Sequence, residues 1–194
     1  LHQQGLDLQF KEFNDYLQPL LLVEQKQLDS TFPVHHPYLA QFNKEHNGNL
    51  VELVGVHIEP MGLYANKNTK KSNFATTKQV TQLAKGVTVG VPNDTTNEGR
   101  ALLILQNHGI IKIKPGVQFP TKKDIIANPY KIVIKELDPA MLSRVLIAEQ
   151  LDLAVINSNF AIQSGLNPLT DAIFIEGADS PYVNIVIVRP DERK

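Results

Sequence analysis

The chain has 194 residues, 42% of them hydrophobic and 20% charged, enough apolar material for one large domain or two smaller lobes with real cores. Lys and Arg number 19 against 20 Asp and Glu, a net charge of −1, which argues against a nucleic-acid binder or a membrane-surface protein, both of which carry a basic excess. Cys is absent, which excludes disulfides, thiolate metal sites, iron–sulfur clusters and cysteine nucleophiles.

Leu1-His2-Gln3-Gln4-Gly5 reads as the tail of a helix with a Gly stop, and with no initiator Met the sequence is expected to be an internal stretch of a longer protein. No apolar run approaches the roughly 20 residues of a membrane span, and no signal peptide is legible. Leu6 to Phe13 alternates apolar and polar residues, which predicts a half-buried strand. Asn14 or Asp15 can cap a helix running through Leu20 to Glu24, with Pro19 early enough to be tolerated. Leu28 to Pro33 is short and extended. Pro37 opens a helix to Glu45 that Asn47-Gly48 ends, and Leu50 to Ile58 alternates again as a strand.

The Lys-, Asn- and Thr-rich stretch from Asn66 to Gln79 reads as a solvated loop or domain crossing. Val80 to Lys85 predicts a short helix stopped by Gly86. Val87 to Val91 is a short buried strand, and Pro92-Asn93-Asp94 turns into a helix from Thr95 to Asn107 that Gly109 ends. Further strands are expected at Ile132–Ile134, Ala154–Ile156, Ala172–Ile175 and Val183–Val188, with helices between most of them. Alternating strand and helix gives an α/β class with largely parallel sheets.

The stretch from Val87 to Arg100 is a strand, a polar turn and a helix start, the place where open α/β sheets bind ligands. Free backbone N–H groups there attract anions, and Arg100 can fork a carboxylate. A well-capped helix with a surface Arg is the plainer reading of the same pattern. His35 and His36 are adjacent in an extended segment, so they point to opposite faces, one to a pocket and one to solvent. No third ligand sits at metal spacing, so no metal site is expected. Tyr38, three residues after His35, shares its face if a helix begins there. Asn157-Ser158-Asn159 follows a buried strand, as ligand contacts or as a helix cap. Asn184 places an amide in an apolar strand, a hinge feature or a ligand contact. Glu136 and Asp138 read as solvated charges. With no Gly-x-Ser-x-Gly elbow and no His-Glu-x-x-His helix, no catalytic constellation is found and no cofactor is expected.

The order of these motifs resembles the NlpA-type family of bacterial lipoproteins, the methionine-binding proteins of ABC importers. The resemblance runs through Glu12 to Pro19, His35-His36-Pro37-Tyr38-Leu39, Pro92 to Leu103, Glu136-Leu137-Asp138, Ala154 to Asn157, Gly165 to Pro168 and Ser180 to Asn184. It implies an α/β, two-lobed, type II periplasmic-binding-protein fold in which each lobe is a mixed, mostly parallel sheet flanked by helices. The first lobe would be residues 1–62 plus 178–194 and the second 63–177. The implied function is an extracytoplasmic substrate-binding protein without enzymatic activity. It would take methionine, a related amino acid or a short peptide in the cleft and deliver it to an ABC permease. It would be held at the surface or in the periplasm by a lipid on an N-terminal Cys outside this chain.

The match places the carboxylate-binding residue at Arg100, the amides that meet the amino-acid backbone at Asn157 and Asn184, and the side-chain pocket at Tyr16, His35 and Tyr38. Where the family usually reads Phe-Gln-His-x-Pro-Tyr, this chain has Pro33-Val34-His35-His36-Pro37-Tyr38, so an apolar wall is lost or reshaped at Pro33. The family's Asn after Gln-Pro is Leu20. The family's lipobox and first strand have no counterpart at the start of the match, nor its last helices at the end, in keeping with an internal stretch. The rival classes are a surface lipoprotein with an adhesin or interaction role, and a transferase that binds an anion at Arg100.

Overall fold

The computed structural model describes residues 7–69, 72–177 and 180–192. The reading of Leu1–Gly5 as a helix tail, the first residue of the strand expected at Leu6, Lys70-Lys71 of the polar stretch and a lobe boundary at residue 178 lie outside the described residues.

Helix α1 (Leu17–Glu24) starts where Asp15 Oδ1 accepts from the backbone N–H groups of Leu17 and Gln18, 2.9 and 2.7 Å away. After the two-residue strand β1 (Ser30–Thr31), α2 (His36–His46) is capped by the side chain of His35, carries Pro37 in its first turn and stops at a left-handed Asn47. Leu20 and Val23 of α1, Leu39 and Phe42 of α2, and Ile185 and Ile187 of the last strand form one apolar cluster. Strand β2 (Val51–Ile58) follows, and β1, β10 (Val183–Val188) and β2 make a three-stranded antiparallel sheet in that order.

The chain then crosses through Glu59-Pro60 into β3 (Met61–Ala65) of a second, five-stranded sheet. A short helix, α3 (Asn73–Thr77), precedes β4 (Thr88–Pro92) and α4 (Thr95–Asn107). A small antiparallel ribbon of β5 (Lys112–Ile113) and β6 (Ile125–Ala127) comes next, then β7 (Val133–Leu137), α5 (Pro139–Ile147), β8 (Leu153–Asn157), α6 (Ser158–Gln163) and β9 (Phe174–Ile175). The sheet order is β7-β4-β8-β3-β9. Every residue of β3 and β8 is buried, as expected of central strands covered on both faces. Alternate residues of β8 divide the packing: Leu153 and Val155 face a cluster with Leu102 and Leu105 of α4, while Ala154 and Ile156 face Leu142, Leu146 and Phe160 of α5 and α6. The chain returns to the first sheet between β9 and β10. Just after β10, Arg189 donates from Nη1 to the carbonyls of Val23 and Leu28, 2.6 Å each, and so fastens the end of α1.

Several expectations are corrected. The sheets are not mostly parallel. The three-stranded sheet is antiparallel throughout, and in the larger one only the β4–β7 and β4–β8 pairs are parallel, whereas β3 runs antiparallel to β8 and β9. Parallel pairing needs a helical crossover; β4, β7 and β8 have one, whereas β3 and β9 are entered or left directly from the other sheet. Residues 7–13 form no strand, because alternation without a neighbouring strand leaves backbone groups to water. The polar stretch holds α3, capped by Ser72, with Phe74 buried in the core. Val80–Gln82 is a single 3-10 turn rather than a helix to Lys85.

Candidate ligand site

Arg100 projects from the second turn of α4 and is 3% exposed. Asp94 caps that helix, accepting from the Asn97 N–H at 3.0 Å and from its amide Nδ2 at 2.9 and 3.0 Å. Burial pushes the Asp94 carboxyl up from its ordinary pKa, and the Asn97 and Thr96 donors pull against that rise. With Nδ2 engaged, Asn97 Oδ1 is left as an acceptor. It takes Nδ2 of Asn157 at 3.2 Å and lies 3.3 Å from Nε2 of His35.

His35 links the sheets through this contact. Its Nδ1 accepts from the Tyr38 N–H at 3.2 Å, so the neutral ring carries its proton on Nε2 and donates to Asn97. Burial, and then the charge of Arg100, lower its pKa to about 4. His36 is exposed and lies 3.0 Å from Glu52. The two neighbours face opposite ways, as expected of an extended segment.

The guanidinium of Arg100 grips both segments by which the chain passes between the sheets. Nε lies 3.0 Å from each carboxylate oxygen of Glu176, Nη2 bonds the same carboxylate, and Nη2 also donates to the Glu59 carbonyl at 2.8 Å. The ring of Tyr182 stacks 4.4 Å from its central carbon. Among the described residues Nη1 makes no hydrogen bond. The sequence reading left Arg100 open to a carboxylate; the fold supplies one from within the chain.

Tyr16, His35, Arg100, Asn157 and Asn184 converge on one cavity, which Pro33, Val34, Glu59 and Asn97 complete. At about 10 Å³ it is nearly filled by these side chains. Asn184 donates Nδ2 to Glu59 Oε2 at 2.9 Å. Asn157 occupies the cap position of α6 without capping it, and its Oδ1 is buried with no hydrogen-bond partner among the described residues. Tyr16 donates to Asn159 Oδ1 at 2.8 Å and packs on Phe160 and Tyr38. Burial holds its hydroxyl well above the usual pKa of a phenol. Tyr38 is not brought to the cavity; it stands behind His35 and Tyr16 as support. Glu59, Asn97 and Glu176 were not singled out from sequence. Asn97 lay inside the Pro92–Leu103 motif, at the right spacing from Asp94 for a capping pair, and that was its only signal. Of the expected solvated carboxylates, Glu136 pairs with Lys122, and Asp138 caps α5 at the Ala140 N–H.

The arrangement offers a cation with one unbonded face, a second carboxylate and an orphaned carbonyl oxygen within one enclosed space. Among the described residues no group of His, Asp and Glu could hold a metal ion, and no helix is long and apolar enough to cross a membrane.

The NlpA lipoprotein family matches residues 1–194. The D-methionine-binding lipoprotein MetQ of Salmonella typhi is 40% identical over 190 residues, 97% of this chain and 67% of that protein. The chain thus spans about two thirds of the length of this curated relative. Solved structures that share the fold include two relatives of known source. An ABC transporter periplasmic substrate-binding protein from Coxiella burnetii is 38% identical with a TM-score of 0.88, over 99% of this chain and 77% of that one. A nutrient binding protein from Burkholderia cenocepacia, bound to methionine, is 39% identical with a TM-score of 0.89, over 99% and 77%.

Proposed function

We propose that this chain, which belongs to the NlpA lipoprotein family, is the ligand-binding part of an ABC importer's substrate-binding protein and takes up methionine or a closely related free amino acid. The observation that carries the reading is Asn157 Oδ1, a buried acceptor without a donor, in a cavity shared with Arg100 and Glu59. Buried polar atoms in native proteins are rarely left unpaired. An ammonium is the donor that Asn157 Oδ1 lacks and a charge that the Glu59 carboxylate, already accepting from Asn184, can balance, and a carboxylate is the acceptor that Arg100 Nη1 lacks. A zwitterionic amino acid carries both. The relatives whose names specify methionine support the same ligand.

The two segments joining the sheets suit a two-lobed protein, with the first lobe at 1–62 and 178–194 and the second at 63–177. The chain passes from the three-stranded sheet at Glu59-Pro60, two residues ahead of that division, since Met61 and Gly62 already pair in β3. A cavity of about 10 Å³ is far below the roughly 300 Å³ of an ordinary ligand pocket. Binding therefore requires the lobes to part and close again around the ligand, a shift between open and closed populations. The protein binds rather than transforms its ligand, and a permease is its partner. Family membership supports a lipid anchor at an extracytoplasmic membrane face.

Mass spectrometry of small molecules released on denaturation, with calorimetric titration of D- and L-methionine into the stripped protein, tests the reading. Methionine in the released fraction and a saturable titration are expected. Neither enantiomer binding to folded, stripped protein would overturn it.

A further inference from the structure

The hydrogen bonds around Asn97 run in one direction. A backbone N–H can only donate and a carboxylate can only accept, and one of each closes the ends. The Tyr38 N–H donates to His35 Nδ1 at 3.2 Å, and Asp94 accepts Asn97 Nδ2 at 2.9 and 3.0 Å. Asp94 also accepts the Asn97 N–H at 3.0 Å and the Thr96 hydroxyl at 3.2 Å. Asn97 is 1% exposed, so its Oδ1 takes what lies opposite, His35 Nε2 at 3.3 Å and Asn157 Nδ2 at 3.2 Å. These two donors use both lone pairs of the Asn97 carbonyl. An Asn157 amide turned over would set two carbonyl oxygens against each other, so its Oδ1 stays turned from Asn97, without a partner among the described residues. Asp94 itself does not line the cavity.

Resting on the amino-acid reading above, we propose that Asp94 is a positioning residue: through Asn97 it fixes the Asn157 amide with its acceptor free, and so fits the site to ligands with an α-ammonium over their α-hydroxy counterparts. An ammonium brings only N–H donors, which a fixed acceptor matches in any rotation. A hydroxyl brings one donor and two lone pairs, so it can satisfy either end of the amide and gains less from a fixed direction. In Asp94→Asn the capping side chain holds a donor as well as an acceptor. Asn97 can then turn over, and the direction of Asn157 is no longer set from outside the cavity. Asn caps a helix as well as Asp does, so α4 keeps its start.

The test is calorimetric titration of methionine, and of the α-hydroxy acid in which a hydroxyl replaces its ammonium, into wild type, Asp94→Asn, Asn97→Ala and the double variant, with weak binding read by competition. Both enantiomers of each ligand are used. Wild type should favour methionine by at least about tenfold, the low end for a charge-assisted hydrogen bond. Asp94→Asn should narrow that preference at least about fivefold, weakening methionine while holding the hydroxy acid within about threefold. Asn97→Ala should narrow it as far, and adding Asp94→Asn to it should change nothing more, because the two residues act in series. Should Asn97→Ala not fold, the preference in Asp94→Asn decides alone. Equal weakening of both ligands by Asp94→Asn, or an unchanged preference, overturns the proposal and leaves Asp94 as a helix cap. Wild type that binds the two ligands equally overturns it as well. So does a further narrowing when Asp94→Asn is added to Asn97→Ala, which would show the charge acting without Asn97. In all of these cases methionine still binds wild type and the amino-acid reading stands. If methionine does not bind wild type, that reading fails and the role of Asp94 with it.

Discussion

Arg100 and Glu176, 76 residues apart in sequence, form a buried ion pair with Nε 3.0 Å from both carboxylate oxygens. Glu176 follows β9, where the chain leaves the five-stranded sheet, and the Glu59 carbonyl that Arg100 also holds lies where the chain enters it. One side chain on α4 thus fixes both crossings, and the same contacts aim its remaining nitrogen. On the proposed function Arg100 therefore has two separable roles. Arg100→Ala should cost about 3–5 kcal/mol of stability by stranding a buried carboxylate. It should also weaken methionine binding by about 2–5 kcal/mol, roughly 30- to 4000-fold. The double variant Arg100→Leu/Glu176→Leu should recover most of the stability and none of the binding. Urea unfolding and calorimetry read the two effects, and recovered binding in the double variant would show that Arg100 only holds the crossings.

Asn157 can be tested with little structural cost. Among the described residues its side chain makes one hydrogen bond, the 3.2 Å contact from Nδ2 to Asn97, and its Oδ1 is unpartnered. Asn157→Leu removes the bond together with the orphaned acceptor, so stability should change by no more than about 1 kcal/mol. Methionine affinity should fall at least about tenfold, since charge-assisted hydrogen bonds contribute about 1.5–3 kcal/mol. Unchanged affinity in calorimetry would remove Asn157 from the site.

His35 makes the fold acid-sensitive. Its pKa in the fold is about 4, below the 6.5 of the free ring. A lowered His pKa contributes stability that is present above pH 6.5 and is lost as pH falls towards 4, because the unfolded chain takes up the proton first. The loss should approach about 3 kcal/mol. Urea midpoints between pH 7 and pH 4.5 should fall less steeply for His35→Gln than for wild type; parallel profiles would refute the assignment.

Glu98 acts in the opposite sense. Burial raises its pKa to about 7, and the neighbouring Glu136 adds to the rise. A raised carboxyl pKa contributes stability that is fully present below pH 4.5 and is lost as pH climbs through 7. Glu98 Oε1 accepts the Lys122 N–H at 3.0 Å, a bond a Gln carbonyl can keep. Because solvent screens part of the charge, Glu98→Gln should stabilise the protein by about 1 kcal/mol at pH 8 and leave it unchanged at pH 4.5. A pH-independent difference in thermal unfolding would rule this out.

Gly90 reports on the core between β4 and α5. A Cβ there would lie 2.5 Å from Leu151 Cδ1 and 2.8 Å from Leu142 Cδ2. Both are side-chain ends inside a packed layer, so they can shift only against their neighbours. Gly90→Ala should cost about 1–3 kcal/mol, read from urea unfolding, with ligand affinity unchanged.

The caps and stops of α2 and α4 were written in the sequence: Pro37, Asn47 and Asp94 each act within four residues of themselves. So were the apolar strands β4 and β8, and so was the division of His35 from His36, because these patterns are local. Strand β3 carried no such sign. Met61-Gly62-Leu63-Tyr64-Ala65 lacks β-branched residues and has a Gly inside it, and it is a strand because β8 and β9 flank it on both sides. The alternation of residues 7–13 gave the opposite error, a pattern with no neighbour to pair with.

What the sequence by itself determined was the family, the α/β class and the identity of Tyr16, His35, Arg100, Asn157 and Asn184 as chemistry worth watching, since motif order and capping are properties of the linear chain. Only the tertiary structure decided that these five meet around one cavity while Tyr38 stays behind it. It alone showed that Glu176 already holds the Arg100 guanidinium and that Glu59 and Asn97 belong to the same cavity. Each of these facts is a contact between segments far apart in the chain. Such a contact is fixed by how the two sheets are joined, and the spacing of residues along one strand or helix carries no record of it.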